Sequence, residues 1–247
     1  MRRQPHGCSP FEERHCKRRH FILLGAAGAA IALQAPSSHA AVAASGSAAA
    51  TRPGVAKRRL LVLGDSLSAE YGLRRGSGWV ALAEQRLRSE LPGTEVINAS
   101  LSGDTTSGGR ARLGTLLAQH RPSHVVIELG GNDALRGLPL EMTRANLIAM
   151  VQQAKAAGAR VMIIGMQVPP NYGPGYTRDF QALFVQVAKQ ESTALLPFLL
   201  AGVADDADPL RWFQADRIHP NEAAHPRILA HVWPVLLPWL RQTGMKG

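Results

Sequence analysis

Apolar residues occur along this chain in short runs that alternate with longer amphipathic stretches. The first run, residues 60–63, is Leu-Leu-Val-Leu, and mostly apolar runs of four to eight residues recur at 95–99, 124–129, 160–166 and 193–200. Runs of this length, rich in branched side chains, are typical of strands that are buried on both faces of a sheet. The pattern therefore predicts about five buried strands.

The stretches between these runs have helical periodicity. Residues 78–91 place Trp79, Ala83, Leu87 and Leu91 at helical spacing, with charged residues between them. Similar spacing predicts helices around 112–117, 147–154 and 180–187. Because strands alternate with helices, we expect a single α/β domain with a parallel sheet, helices on both faces and right-handed connections.

The last apolar stretch, residues 232–240, contains Pro234 and Pro238. A proline inside a helix removes a hydrogen-bond donor and clashes with the preceding turn. The final helix is therefore predicted to be kinked or split at these positions.

Residues 1–40 have the pattern of an export signal. Basic residues end at Arg19, residues 21–33 are apolar and rich in Ala and Gly, and small residues precede the expected cleavage site at Ala40. Cleavage there would leave a periplasmic or secreted protein. Arg18 and Arg19 begin a stretch that resembles a twin-arginine signal, and a general secretory signal is the alternative.

Residues 41–57 consist mainly of Ala, Ser and Gly, which is typical of a flexible linker, so the folded domain is predicted to span residues 58–247. Both cysteines, Cys8 and Cys16, precede the apolar run of the export signal. The mature chain would therefore contain no cysteine, which excludes disulfides, cysteine nucleophiles and thiolate metal sites. We expect no cofactor and no metal.

The formal net charge is +10, and a net +4 of this lies in residues 1–40. The other basic residues are scattered, apart from a cluster at 57–59. A nucleic-acid-binding protein would need a basic stripe or a known module, so we expect no nucleic-acid partner. The apolar run at 21–33 is shorter than the roughly 20 residues that span a membrane, so no stable membrane insertion of the mature chain is expected. A monomer is favoured.

Polar loops follow the predicted strands. They are Gly64-Asp65-Ser66-Leu67-Ser68 after the first strand, residues 98–105 after the second, residues 130–133 after the third, and residues 216–221 near the C-terminus. Taken singly, these loops could supply turns, helix caps or a surface ion pair. Open α/β sheets build their sites just beyond the carboxyl ends of the strands, so we expect the loops to converge on one crevice.

The side chains of these loops suit acyl transfer. A serine nucleophile needs an adjacent base, and His219 could act as that base for Ser66, with Asp216 as its orienting carboxylate. The tetrahedral intermediate needs hydrogen-bond donors for its oxyanion. The backbone N–H groups of Ser66 and Gly103 and the side-chain amide of Asn132 are the candidates.

These four loops resemble the sequence blocks of the SGNH hydrolases, the GDSL esterase/lipase superfamily. The resemblance extends from about residue 60 to residue 240, and within the superfamily the chain is most similar to bacterial acyl-CoA thioesterase I, lysophospholipase L1 and arylesterase proteins. It implies a flavodoxin-like three-layer αβα sandwich and no cofactor. It also implies the roles of the matching residues: Ser66 as nucleophile, Asp216 and His219 as acid and base, Ser66, Gly103 and Asn132 as the oxyanion hole, and Asn171 and Tyr172 in a loop over the acyl chain.

Two residues depart from the pattern of the superfamily. Glu70 stands where close relatives tend to have glycine, and Arg217 stands where a small residue is commoner. Both departures bear on the cleft entrance and hence on substrate preference.

The predicted activity is hydrolysis of carboxylic esters and acyl thioesters of small molecules, with lysophospholipids as a further substrate class. Two alternatives are removal of acetyl groups from a cell-surface polysaccharide and a non-catalytic domain that binds lipid or glycan. The intact set of five site residues argues against the second alternative.

Overall fold

The computed structural model describes residues 58–242, and the predicted export signal and linker lie outside them. The described chain contains a five-stranded sheet in the order β2-β1-β3-β4-β5, in which every neighbouring pair is parallel. The strands are β1 (Arg58–Gly64), β2 (Thr94–Asn98), β3 (His124–Glu128), β4 (Arg160–Ile164) and β5 (Ala194–Leu196).

Helices cover both faces of this sheet. α1 packs against α6, whereas α2, α4 and α5 pack side by side. The fold is therefore the three-layer αβα sandwich, as predicted. The helices are α1 (Trp79–Glu90), α2 (Thr106–His120), α3 (Gly131–Leu135), α4 (Leu140–Ala156), α5 (Pro174–Gln190) and α6 (His225–Arg241).

The two central strands explain where the polar loops meet. β1 and β3 lie side by side, with Gly64 paired to Glu128 at their carboxyl ends. Leu60, Leu61, Val62 and Leu63 of β1 are all buried, because helices pack on both faces of the strand. In a parallel sheet all carboxyl ends point the same way, so the loops after β1, β2 and β3 begin at one edge.

β5 is shorter than the predicted strand at 193–200. It covers only Ala194–Leu196, and Pro197 follows it directly. Proline has no N–H group to continue a ladder of hydrogen bonds, which accounts for the early end. Leu199 and Leu200 are buried in the turn that follows instead of in the strand.

Of the two alternatives predicted for the last helix, kinked or split, the split is wrong, because α6 runs unbroken from His225 to Arg241. Pro234 and Pro238 are four residues apart and both are exposed to solvent. The carbonyl groups that lose their intrahelical partner therefore face water, which can hydrate them.

No helix within residues 58–242 is both long and apolar enough to cross a membrane.

Candidate active site

The turn after β1 places Ser66 at the sheet edge. The backbone carbonyl of Asp65 accepts the N–H groups of Ser68 (3.2 Å) and Ala69 (3.0 Å), which bends the chain sharply. The Asp65 Oδ1 atom accepts the N–H of Leu67 at 3.0 Å and reinforces the bend. A Cβ at Gly64 would lie 2.7 Å from Glu128 Oε2, so β1 must end in glycine. Ser66 is half-buried at the apex of this turn.

Ser66, His219 and Asp216 form one hydrogen-bonded row. The Ser66 Oγ atom lies 2.9 Å from His219 Nε2, and His219 Nδ1 lies 2.6 Å from Asp216 Oδ2. A proton on Nδ1 leaves Nε2 free to accept the serine hydroxyl. The ring of Tyr71 lies against the imidazole, with the two ring centroids 4.4 Å apart.

Asp216 is held ionised by its own loop. Its Oδ1 atom accepts the backbone N–H groups of Ile218 (2.9 Å) and His219 (3.0 Å). Desolvation opposes ionisation, but these hydrogen bonds, with the one from the His219 side chain, outweigh it and lower the pKa of Asp216 to about 2. Asp216 therefore carries a negative charge at neutral pH beside the imidazole.

The loop that carries His219 is closed at its base and tied to the serine loop. Phe213 and Pro220 form an isolated antiparallel bridge, and the Gln214 N–H donates to the His219 carbonyl at 2.8 Å. The side-chain amide of Gln214 also donates to the carbonyl of Tyr71 at 2.9 Å. These contacts explain how two segments distant in sequence keep Ser66 and His219 at hydrogen-bonding distance.

The two remaining candidate oxyanion donors lie on neighbouring loops. Gly103 has a φ of +78°, a conformation that favours glycine, and its carbonyl accepts a hydrogen bond from Arg136 Nη2 at 2.8 Å. Asn132 lies in the first turn of α3, and its Nδ2 atom donates to Asp65 Oδ2 at 3.0 Å. The loops after β2 and β3 are thus joined to each other and to the serine turn.

Two buried carboxyl groups belong to the site although the sequence did not indicate them, one within the serine turn and one at the end of β3. Asp65 is 2% exposed and Glu128 is fully buried. Glu128 Oε2 accepts the Ser68 hydroxyl at 2.7 Å, and Ser68 Oγ in turn accepts Trp79 Nε1 at 3.1 Å. Burial raises the pKa of Asp65 to about 6 and, with the neighbouring Asp65 charge, raises the pKa of Glu128 well above its usual range. The sequence signal that could have identified Glu128 is its position as an acidic residue inside the apolar run of β3.

A third buried carboxylate fixes the loop after β3. Asp133 accepts the backbone N–H of Thr106 at 2.8 Å, a hydrogen bond from the Thr106 hydroxyl, and the hydroxyl of Thr143 at 3.2 Å. It therefore ties the Asn132 loop to the start of α2 and to α4.

Asn171 and Tyr172 lie in a 3-10 turn after β4. Asn171 is exposed, and the half-buried Tyr172 ring stacks on Tyr176 with the ring centroids 5.8 Å apart. Within the described part of the chain, no hydrogen bond joins either residue to Ser66 or His219. Their assignment to substrate binding stays a prediction.

The backbone is left-handed at both departures from the superfamily pattern. Glu70 and Arg217 each have a φ of +59°, a conformation that favours glycine over either residue. The Glu70 carboxylate accepts the N–H groups of Gly76 and Gly78, so it holds the turn that precedes α1.

Comparison with known proteins places the chain in a family. The sequence model of the GDSL-like Lipase/Acylhydrolase family matches residues 62–227. The chain is 52% identical over 185 residues to Esterase TesA of Pseudomonas aeruginosa, which covers 75% of this chain and 90% of that protein. It is 44% identical over 169 residues to thioesterase 1/protease 1/lysophospholipase L1 of Escherichia coli K12, with 68% of this chain and 78% of that protein covered.

A solved structure agrees with this placement. The psychrotrophic esterase EstA from Pseudoalteromonas sp., inhibited by monoethylphosphonate, superimposes with a TM-score of 0.70 at 39% sequence identity, covering 75% of this chain and 100% of that one. The chain belongs to the GDSL-like lipase/acylhydrolase family and is a carboxylic ester hydrolase.

Proposed function

We propose that the chain is an exported esterase that cleaves carboxylic esters and acyl thioesters through a covalent acyl intermediate on Ser66. The observation that carries this proposal is the hydrogen-bonded row from Ser66 Oγ through His219 to Asp216. Such a row is the arrangement that activates a serine hydroxyl, since the base accepts its proton and the carboxylate orients the base.

In the first step, Ser66 Oγ attacks the acyl carbonyl carbon while His219 Nε2 takes the hydroxyl proton. The carbonyl π electrons move to the oxygen, which becomes an oxyanion. The N–H groups of Ser66 and Gly103 and the Asn132 amide donate hydrogen bonds to it. Asp216 stabilises the imidazolium that forms.

The intermediate then collapses. The bond from the acyl carbon to the oxygen of the leaving alcohol, or to the sulfur of the leaving thiol, breaks. His219 gives its proton to that oxygen or sulfur. Water repeats the sequence on acyl-Ser66, with His219 as base, and releases the carboxylic acid. No step requires a metal or a cofactor.

The substrate class follows from the relatives. The Escherichia coli relative is named a thioesterase and lysophospholipase, and the Pseudomonas aeruginosa relative an esterase. We extend these activities to the present chain, with small acyl esters, acyl thioesters and lysophospholipids as substrates. The turn that contains Asn171 and Tyr172 follows β4 at the sheet edge where the acyl chain would lie.

The test compares the wild type with Ser66→Ala, using p-nitrophenyl esters of graded chain length, an acyl thioester and a lysophospholipid. Ser66→Ala removes the nucleophile and is expected to lower kcat at least ~10³-fold while the protein stays folded. A fluorophosphonate probe is expected to label the wild type at Ser66 alone. Labelling at a different serine, or a Ser66→Ala protein that keeps its turnover, would contradict the proposal. Activity confined to acetyl esters would instead favour the polysaccharide deacetylase alternative.

A further inference from the structure

The side-chain amide of Asn132 makes a single hydrogen bond within the described residues. Its Nδ2 atom donates to Asp65 Oδ2 at 3.0 Å. An amide can rotate to exchange its oxygen and nitrogen unless a neighbour distinguishes them. The partner of Asn132 therefore decides whether a donor or an acceptor faces the cleft.

Asp65 is able to make that distinction. An ionised carboxylate only accepts hydrogen bonds, so it binds the nitrogen end of the amide and repels the oxygen end. Each oxygen of Asp65 accepts a hydrogen bond, Oδ1 from the Leu67 N–H and Oδ2 from Asn132 Nδ2, which is the pattern of an ionised carboxylate. With one N–H of Asn132 engaged by Asp65, the second N–H of the same nitrogen remains for a substrate oxyanion.

Asp65 is itself immobile. Its Oδ1 atom accepts the Leu67 N–H at 3.0 Å, so each of its two oxygens has a hydrogen-bond partner. The side chain is buried, and its backbone directly precedes Ser66. One carboxylate thus links the nucleophile turn to the amide on α3 and sets the position of the two groups relative to each other.

We infer that Asp65 is the positioning residue of the oxyanion hole, because its carboxylate fixes the Asn132 amide with a donor facing the cleft. The inference rests on the proposed role of Asn132 as an oxyanion donor. Within residues 58–242, the Asp65 side chain hydrogen-bonds Leu67 and Asn132 and not Ser66 Oγ or His219, so it acts through Asn132.

The test is a double-mutant cycle on the full-length protein that combines Asp65→Ser with Asn132→Ala, using a p-nitrophenyl ester. A serine hydroxyl can still cap the Leu67 N–H but is too short to reach Asn132. Asp65→Ser is expected to lower kcat about 10- to 100-fold with KM changed less than about 3-fold, because the lost contact matters most in the transition state. In the Asn132→Ala background the same substitution is expected to change kcat less than about 3-fold.

Two further variants separate positioning from structure. Asp65→Ala loses the Leu67 cap as well, so it is expected to match the kcat of Asp65→Ser while melting at a lower temperature. Glu70→Gln, from the same loop, alters a carboxylate that binds Gly76 and Gly78 and not Asn132. Glu70→Gln is expected to change kcat by the same factor in the wild type and in the Asn132→Ala background.

The outcomes distinguish this inference from the proposed function. If Asn132→Ala keeps its activity, Asn132 is no oxyanion donor and this inference falls, whereas the proposed function, which rests on Ser66, His219 and Asp216, stands. If Asn132→Ala loses about 10²–10³ in kcat but a folded Asp65→Ser does not, only the present inference is overturned. Losses that multiply in the double variant overturn it as well.

A measurement on the wild type covers the case in which neither Asp65 variant folds. The Asn132 side-chain amide is identified by NMR as the signal pair that disappears in Asn132→Ala. One of its two protons is expected to be shifted downfield and protected from solvent exchange by the Asp65 carboxylate. Two protons that exchange as in an exposed asparagine would overturn the inference.

Discussion

At the scale of single residues, the hydrogen bond between His219 and Asp216 yields the clearest prediction. Asp216→Asn keeps the shape of the side chain but replaces the carboxylate that orients the imidazole and stabilises its cation. A large loss of kcat is expected, of up to about 10⁴-fold, since the wrong tautomer of His219 would predominate. Steady-state kinetics of the variant, beside its melting temperature, check this. Wild-type kinetics would show that Ser66 and His219 suffice without Asp216.

Roles of single residues could be predicted from the sequence only where a residue type has few other uses. A serine, a histidine and an aspartate in loops at strand ends suggested acyl transfer, and the fold brings these three into contact. Asp65 could not be assigned to the site from the sequence, because an aspartate that follows a strand is equally expected in an ordinary turn or helix cap. Its second contact, to Asn132, joins residues 67 positions apart and has no local sequence signal.

At the scale of secondary-structure elements, β3 contains a buried histidine that affects stability. His124 begins the strand, is 3% exposed, and packs edge-on against Trp239 of α6 with the ring centroids 4.8 Å apart. Burial, together with the nearby charges of Arg160 and Arg58, lowers its pKa from 6.5 to about 4. The unfolded chain therefore binds a proton between pH 6.5 and 4 that the folded chain does not.

The sign of the pH effect follows from this difference in bound protons. Stability rises with pH wherever the unfolded state binds more protons, so the His124 contribution is complete above pH 6.5 and is lost as pH falls toward 4. The shift corresponds to about 3 kcal/mol. Asp65, whose pKa is raised to about 6, changes stability in the opposite sense over an overlapping range. The prediction therefore concerns the difference in acid-induced loss of stability between the wild type and a variant that lacks His124.

Urea unfolding of the wild type and His124→Gln at pH 7 and pH 4.5 measures this contribution. The wild type is expected to lose more stability on acidification than His124→Gln, by up to about 3 kcal/mol. His120→Gln, at the end of α2, is the matched control and is expected to behave as the wild type does. Equal acid losses in wild type and His124→Gln would refute the assignment to His124.

Helix and strand positions followed closely from hydrophobic periodicity, and the errors have local causes. α1 covers Trp79–Glu90 against a prediction of 78–91, because its buried face recurs regularly along the helix. β5 ended early at Pro197, and α6 continued through two prolines. Proline effects depend on whether the affected backbone faces water or a neighbouring strand, which periodicity does not reveal.

At the scale of the whole molecule, the predicted export signal yields a test that needs no structure. Cleavage is expected after Ala40, so that the mature protein begins at Ala41. N-terminal sequencing of the protein recovered from the cell envelope or the medium of an expressing bacterium checks this. Recovery of only the uncleaved chain from the cytoplasm would contradict export, and replacing Arg18 and Arg19 by lysine would separate twin-arginine from general secretory transport.

The sequence by itself determined the α/β class, the strand order along the chain and the identity of the five candidate catalytic residues. Each of these depends on local periodicity or on the residue types within four short loops. The tertiary structure alone decided which groups hold those residues in place: Asp65 on Asn132, Arg136 on Gly103, Gln214 on Tyr71, and Glu128 beneath Ser68. These contacts join segments that are distant in sequence, and such segments come together only once the strands that carry them have paired.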